Sequence, residues 1–475
     1  MALKNMKKYL DIDGYTGGMT EEVTPWAGVG LFLELYRHLK IGALVEQTLP
    51  MKKSEKGLRH GEMTEAFVLV SALGGENLDD FANLRRDEGL RAILGYQLPA
   101  PETARQWLKK AHEEPLIKVA KDKAEQLGFL SYIPAESVYL QGFNQGNRRV
   151  IDAYATTVKP SLEVTLDVDA HLVESAKQSA FKTYEGYDGD QPMIVTWAET
   201  NLVLRDEFRD GNVPAEKDIA RIVDEAYDNL PRREDKEEWK VFVRSDSAAY
   251  EEDILDHWQS RGWKFAVSAD MSPQLRRTMV AMGEDNWQLK QVYKNGVVCE
   301  WAEVEYVPSR RTEKKGTDVP IYRYIGIRLR NPQGELFGDG QSVRHYAVVS
   351  NRWDLDGLEL LNWQRGKAGT VEHVHHVLLS ELGAGVYPSD KFGANAAWLR
   401  LQVLTHNLLE LLKATVLPSE FRKARPKRLR FAVFTQFGRV VRHAHKTVVR
   451  ITTRALEWLI GPGRRRIRSL AWMGG

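Results

Sequence analysis

From Glu163 to Ser268 the chain alternates short β-rich runs with helical ones, and this order constrains the fold more than any other feature. EVTLDVD (163–169) alternates apolar and polar residues and reads as a strand with a carboxylate at its end. Further strands are predicted over 193–198, 201–207, 239–244 and 264–268, with helices near 215–229 and over 248–260. Strands followed by alternating strand and helix imply a mixed α/β sheet.

Between about 271 and 354 the texture changes. NWQLKQVY, VVCEWAEVEYV, IYRYIGIRLR and SVRHYAVVSN alternate, separated by Asn-Gly, a KKGTD loop and NPQGELFGDG, which predicts an antiparallel β insertion. The α/β pattern resumes at Trp363. Gly366 and Gly369 punctuate a turn, and Thr370 is placed to cap a helix carrying Val371, Val374, Leu378 and Leu382 on one face. Glu372 sits in its first turn, where a carboxylate favours the helix dipole. Gly383 and Gly385 stop that helix, and a second, mostly buried one is expected over 394–409.

Upstream, residues 26–48 and 61–74 carry helical apolar spacing, followed by short helices broken at Gly95 and Pro99. This part is rich in Arg and Lys, so it reads either as a helical DNA-binding module or as plainly packed helices. Residues 117–160 read as a less orderly connector.

A chain of 475 residues has room for about two to four domains. Its net charge of +2 conceals a split. Residues 421–475 hold 15 Lys/Arg against one acid, Glu457, a net +14; the remainder holds 52 basic against 64 acidic residues, a net −12. A basic tail on an acidic body points to a polyanionic partner, with a merely solubilising tail as the plain alternative. In that tail Phe431, Phe434, Phe437 and Val440 are expected to form a small β-rich core. The single cysteine, Cys299, excludes an internal disulfide framework and a cysteine-rich zinc site, and suits a reducing cytoplasm. The first 18 residues lack the apolar stretch of a signal peptide, and no run reaches the length of a membrane span.

Three acids carry the chemical reading: Asp169, Asp246 and Glu372. Two strand-end aspartates and a helical glutamate can converge on hard divalent cations, because Mg2+ prefers carboxylate and water oxygens. Two such ions, roughly 4 Å apart, activate an attacking oxygen and stabilise a leaving one in phosphodiester cleavage. On the residues alone, solvated or capping acids are the plainer reading. His373 and His376 invite a zinc reading, but no cysteine cluster supports it, and a face toward solvent or DNA is expected. Trp287 and Trp301 lie on neighbouring predicted strands, where core packing is the plain reading and a stacked DNA base the alternative.

Around these acids the sequence resembles the insertion-sequence DDE transposases, in the group with a β domain inserted before the catalytic glutamate. The matching pieces are TLDVDAHLVES, WAETNLVLRDEFRDGNVPA, VRSDSAAY, QRGKAGTVEHVH and KFGANAAWLRLQVLTHNLL, with NLDDFANLRRDEGLRAILGYQLPAPETARQW in the amino-terminal part. The resemblance implies a ribonuclease-H-like mixed-sheet core and two Mg2+ or Mn2+ ions. It places the catalytic, metal-binding acids on Asp169, Asp246 and Glu372. It further implies cleavage of DNA bounded by terminal inverted repeats, strand transfer into target DNA, a homodimer in the synaptic complex, and a place in the bacterial cytoplasm at the nucleoid. Asp167 is the rival for the first aspartate, on the same strand face; Asp169 is preferred because a small residue follows it.

Two positions depart from the family pattern: His171 stands where a hydroxyl residue is expected, and Leu379 where a basic one is. Arg365 remains for phosphate contact, with Lys391 as a helper, and Arg422, Lys423, Arg425, Lys427, Arg428 and Arg430 are the tail's candidate DNA contacts. The expected organisation is a helical module over 1–120, a catalytic core over 121–270 and 355–415, a β insertion over 271–354, and a basic region over 416–475. The expected activity is metal-dependent end cleavage and strand transfer. A nuclease without strand transfer and an inactive DNA-binding derivative are the alternatives.

Overall fold

The computed structural model describes residues 22–52, 56–231, 238–309, 311, 320–331, 337, 340–443 and 446–470. The KKGTD loop and the first 18 residues lie outside the described residues. In chain order the strands begin with β1 (Glu22–Thr24), β2 (Glu163–Ala170), β3 (Val173–Glu174), β4 (Phe181–Lys182) and β5 (Asp188–Asp190). Next come β6 (Met193–Trp197), β7 (Leu202–Glu207), β8 (Lys240–Ser245), β9 (Lys264–Ala269) and β10 (Gln288–Val292). The series ends with β11 (Val298–Val304), β12 (Arg323–Arg330), β13 (Val343–Ser350), β14 (Gly438–His443) and β15 (Lys446–Ile451).

Nine strands form one mixed sheet in the order β10-β11-β12-β13-β9-β8-β2-β6-β7. β2 runs parallel to β8 and β8 to β9, while the remaining neighbours are antiparallel. Along β2, Val164, Leu166 and Val168 are buried on one face, and Thr165 and Asp167 on the other. Cover on both faces is what a central parallel strand requires. The segment expected as an inserted domain, β10–β13, continues this sheet, because β13 pairs with β9 from Ala347–Ala269 to Ser350–Ala266.

The helix expected over 394–409 spans Phe392–Leu411 and is buried on nearly all sides. It packs against the helices Val138–Val158 and His60–Ala72 and against β7. Its Asn407 faces the edge strand: Oδ1 accepts the Val203 N–H at 2.9 Å, and Nδ2 donates to the Val203 carbonyl at 2.8 Å. A side-chain amide thus occupies backbone groups that a sheet edge otherwise leaves unpaired.

The expected connector over 117–160 folds instead as two helices, Glu114–Gln126 and Val138–Val158. Leu140, Phe143, Asn147, Val150, Ile151 and Tyr154 recur on one buried face, but Gln141, Asn144, Arg148 and Arg149 between them dilute the apolar signal. Gly142 lets this helix approach closely, since a Cβ there would lie 2.7 Å from Leu49 Cδ2.

The tail folds back on the first described residues: β14 pairs with β15 and with β1, Glu22 opposite Val440. Of its expected core residues, Phe434 and Val440 are buried, whereas Phe431 and Phe437 are 78% and 64% exposed. The reason is local. Residues Pro426–Leu429 and Arg430–Phe434 are helical, so Leu429, Val433 and Phe434 turn inward and Phe431 turns out.

A buried ion network joins these layers. Arg400 on the long helix donates from Nε to Asp206 Oδ2 at 2.8 Å, from Nη2 to Glu136 Oε1 at 2.7 Å and from Nη1 to the Leu140 carbonyl at 3.0 Å. Arg205 reaches the same Glu136 oxygen at 2.6 Å. Burial raises the Glu136 carboxyl, but Arg400 and Arg205 outweigh it and hold the group at about 2. Glu136 therefore contributes stability above the ordinary carboxylate range that is lost as pH falls toward 2. Arg400→Met leaves Asp206 and Glu136 buried without their common partner and should cost about 3–5 kcal/mol in urea unfolding. A loss below about 1 kcal/mol would mean the network contributes no more than an exposed ion pair.

Candidate active site

β2 and β8 place Asp167 opposite Arg244 in parallel register. Two residues further along each strand direction lie Asp169 and Asp246, so the two acids end adjacent parallel strands at their carboxyl side. Open α/β sheets bind ligands at this edge. Asp246 opens a 3-10 turn, its Oδ1 accepting from the Ala248 N–H at 3.2 Å, and it remains exposed.

Asp167 is committed inward. It is 0% exposed, and Arg244 grips it with two bonds, Nε to Oδ1 at 2.6 Å and Nη2 to Oδ2 at 2.8 Å. Thr370 adds its hydroxyl to Oδ2. The capping role expected for Thr370 is therefore not taken, and its side chain makes no cap bond to the helix that follows. Arg244 also donates to the Trp363 carbonyl at 2.6 Å. A Cβ on Gly366 would sit 2.5 Å from Arg244 Nη1, so glycine is what lets the turn close over the guanidinium.

Asp169 has a different neighbour. Lys367, in the 3-10 turn Gly366–Gly369, places Nζ 2.8 Å from Asp169 Oδ1 and is only 7% exposed. Burial works against its charge, but Asp169, Asp246 and Asp167 outweigh it and hold the ammonium above its ordinary value. The other oxygen, Oδ2, lies 3.5 Å from Nε2 of buried His375, a nitrogen without a hydrogen-bond partner. Burial pushes His375 down to about 3, so it stays neutral at pH 7. The His171 ring packs 5.3 Å from that of His375. His171 thus fills the expected hydroxyl position with a ring contact.

Glu372 lies on the helix Val371–Glu381, which packs on β2 and β6. It is exposed, and sits one turn before His375, on the helix side that His375 turns toward Asp169. Among the described residues, no three His, Cys, Asp or Glu side chains close into a metal cage. Asp169 and Asp246 stand at neighbouring strand ends, Lys367 is bound to Asp169, and Glu372 lies on the adjoining helix turn. The carboxylate oxygens at the strand edge are of the kind a hard divalent ion takes, and a cation, the Lys367 ammonium, is already seated on Asp169.

The remaining sequence-predicted residues divide. Arg365 is exposed and turns toward the Tyr293 hydroxyl at 3.4 Å, while Lys391 sits at the N-cap of the long helix. Leu379 is half-buried against the main core. Trp287 and Trp301 are each 8% exposed. Trp287 carries the Arg328 guanidinium 4.5 Å from its ring centre, and Trp301 lies under Gly357, where a Cβ would be 2.1 Å away. Both belong to the sheet's core, the plain reading of the pair, rather than standing free for a stacked base. In the tail, Arg422, Lys423, Arg425, Lys427 and Arg428 are exposed, whereas Arg430 is half-buried and donates to the Glu381 carbonyl at 3.0 Å. Arg425 pairs with Glu381 at 2.9 Å, and the Lys427 N–H reaches the same carboxylate at 2.7 Å. The tail is thereby docked on the end of the helix that carries Glu372. Sequence reasoning missed Arg244, Lys367 and His375; the Arg that precedes Asp246 by two residues, facing an aspartate across parallel strands, was the available signal for the first.

The chain belongs to the transposase DDE domain group 1 family, which it matches over residues 15–458. Among solved structures it is similar to the piggyBac transposase in a synaptic complex with hairpin DNA, determined by cryo-EM. That likeness has 8% identity and a TM-score of 0.42, covering 87% of this chain and 82% of the other. No curated protein matches the chain.

The two aspartates of β2 should separate on substitution. Asp167→Asn leaves Arg244 buried beside a neutral amide and should lower stability by about 3–5 kcal/mol. Asp169→Asn takes the one hydrogen bond of Lys367, but that ammonium sits on a flexible stem able to turn toward solvent, so the loss should be smaller, about 1 kcal/mol. Equal destabilisation by both, in thermal unfolding, would contradict the division of roles.

Proposed function

We propose that this chain cuts the ends of its DNA element and joins them to target DNA at a two-metal site formed by Asp169, Asp246 and Glu372. The observation that carries the reading is the pair Asp169 and Asp246 at the ends of adjacent parallel strands, with a buried cation on Asp169 and Asp167 withdrawn into a separate pair with Arg244. Two Mg2+ or Mn2+ ions, when bound, would supply a nucleophilic oxygen at neutral pH and offset charge building on the phosphate. The chain's own contribution is positional. Arg244 fixes the register of β2 against β8, so that both carboxylates are presented from one rigid edge. Glu372 supplies the third carboxylate from a helix packed on that sheet. The five-strand order β7-β6-β2-β8-β9 supports a ribonuclease-H-like core.

In this reading water breaks the phosphodiester bond that frees the element's 3′ hydroxyl, and that hydroxyl then attacks a phosphodiester of the target. Arg365 and Lys391 flank the DNA, and the exposed tail cations Arg422, Lys423, Lys427 and Arg428 meet the phosphate backbone. Arg425 and Arg430 anchor the tail on Glu381 instead. Two copies of the chain act together on paired inverted-repeat ends. Among the described residues no helix is long and apolar enough to cross a membrane, and the working location is the bacterial cytoplasm, at the nucleoid.

Asp169→Asn, Asp246→Asn and Glu372→Gln should each bind end DNA about as well as the parent and cleave none of it in Mg2+, because the amide removes the charge a hard cation needs. Robust cleavage by Glu372→Gln would sink the triad. A strand-joining assay with pre-cleaved ends separates a transposase from a nuclease, which would hydrolyse but not join. For the tail, neutral substitution of Arg422, Lys423, Lys427 and Arg428 should reduce the slope of log affinity against log salt, each lost phosphate contact removing about 0.9 from it. An unchanged slope in the folded variant would place DNA elsewhere.

A further inference from the structure

Asp167 and Asp169 lie on the same strand, yet their cations differ in kind. Arg244 is bound by two hydrogen bonds to Asp167, a third to the Trp363 carbonyl and a glycine turn packed over it. Lys367 reaches Asp169 through one bond from the end of a flexible stem, with Asp246 as its next charge. A planar guanidinium in a fork is a fixed structural pair, while an ammonium is a compact charge that can leave. Beside it, the His375 Nε2, buried and unpartnered, faces the second oxygen of Asp169. Asp169 is therefore balanced by a single removable cation and adjoined by an unused donor.

A divalent ion on Asp169 would need the carboxylate oxygen that the ammonium now occupies. The ammonium is 2.8 Å from Oδ1. Both together would place three positive charges within a few ångström of each other at low exposure, which favours exclusion of one by the other. The turn has room on one side, since a Cβ on Gly369 would meet nothing within 4 Å.

We propose that Lys367 is a tethered counter-ion that fills the Asp169–Asp246 site in the metal-free protein and must withdraw for a divalent ion to enter. The inference rests on the assignment of Asp169 and Asp246 as metal ligands. It makes Lys367 a positioning residue: it keeps the strand-end carboxylates neutralised before loading and raises the divalent-ion concentration at which the site fills.

The test uses the full chain without DNA and Mn2+ as the probe, titrated by calorimetry. Lys367→Met should bind Mn2+ about tenfold more tightly than the parent, because the ion no longer displaces a charge. Equal or weaker binding by a folded Lys367→Met overturns the proposal. Should that variant fail to fold, the parent decides: Lys367, read by amine acylation and mass spectrometry, should be protected without metal and become labelled as Mn2+ saturates. Protection that persists at saturating Mn2+ also overturns it. Asp169→Asn keeps the two ideas apart. Mn2+ binding by that variant equal to the parent's would reject Asp169 as a ligand, and the inference with it; loss of binding there, with Lys367→Met no tighter than the parent, would reject the counter-ion alone.

Discussion

Arg244 lies inside a sheet, where a charge is tolerated only if every donor finds a partner. Asp167 takes two of its hydrogen bonds, and the Trp363 carbonyl takes another. Those three contacts span β2, β8 and the end of the helix Gly357–Arg365, elements far apart in the chain. The pair therefore sets strand register, and register sets where Asp169 and Asp246 emerge. The turn that closes over Arg244 also delivers Lys367 and leads into the helix of Glu372.

The surrounding layers hold that edge still. The long helix Phe392–Leu411 caps the free side of β7 with Asn407 and ties it to the helix Val138–Val158 through Arg400, Asp206 and Glu136. On the opposite side, β10–β13 lengthen the sheet, burying Trp287 and Trp301. The tail returns to the site helix through Glu381, so its exposed cations are held in a fixed relation to Glu372. The basic tail and the strand-edge acid pair are in this way parts of one frame.

Much of this was legible from local pattern. Alternation and β-branched residues marked β2, β6, β8 and β9, and the two aspartates stand out because Asp169 closes the run EVTLDVD and Asp246 comes directly after WKVFVRS. What stayed hidden depended on pairing between distant residues. Lys367 looks like a solvated lysine in a glycine turn, and only the fold carries it to an aspartate 198 positions away. Thr370 looked like a helix cap, but a buried carboxylate was the stronger acceptor for its hydroxyl. The helix Val138–Val158 escaped because its inward face uses Gly142, Gly146 and Asn147, residues chosen for close approach and for pairing with Asn407, which carry little apolar signal. Trp287 and Trp301 were legible in their plain reading, core packing, and the sheet buries both.

The most direct measurement of the central claim is an anomalous-difference map from crystals of the full chain soaked in Mn2+. An ion about 2.0–2.3 Å from oxygens of Asp169 and Asp246, with Asp167 still gripped by Arg244, is the predicted result. A manganese peak on Asp167, or none at the β2–β8 edge at saturating Mn2+, would contradict it.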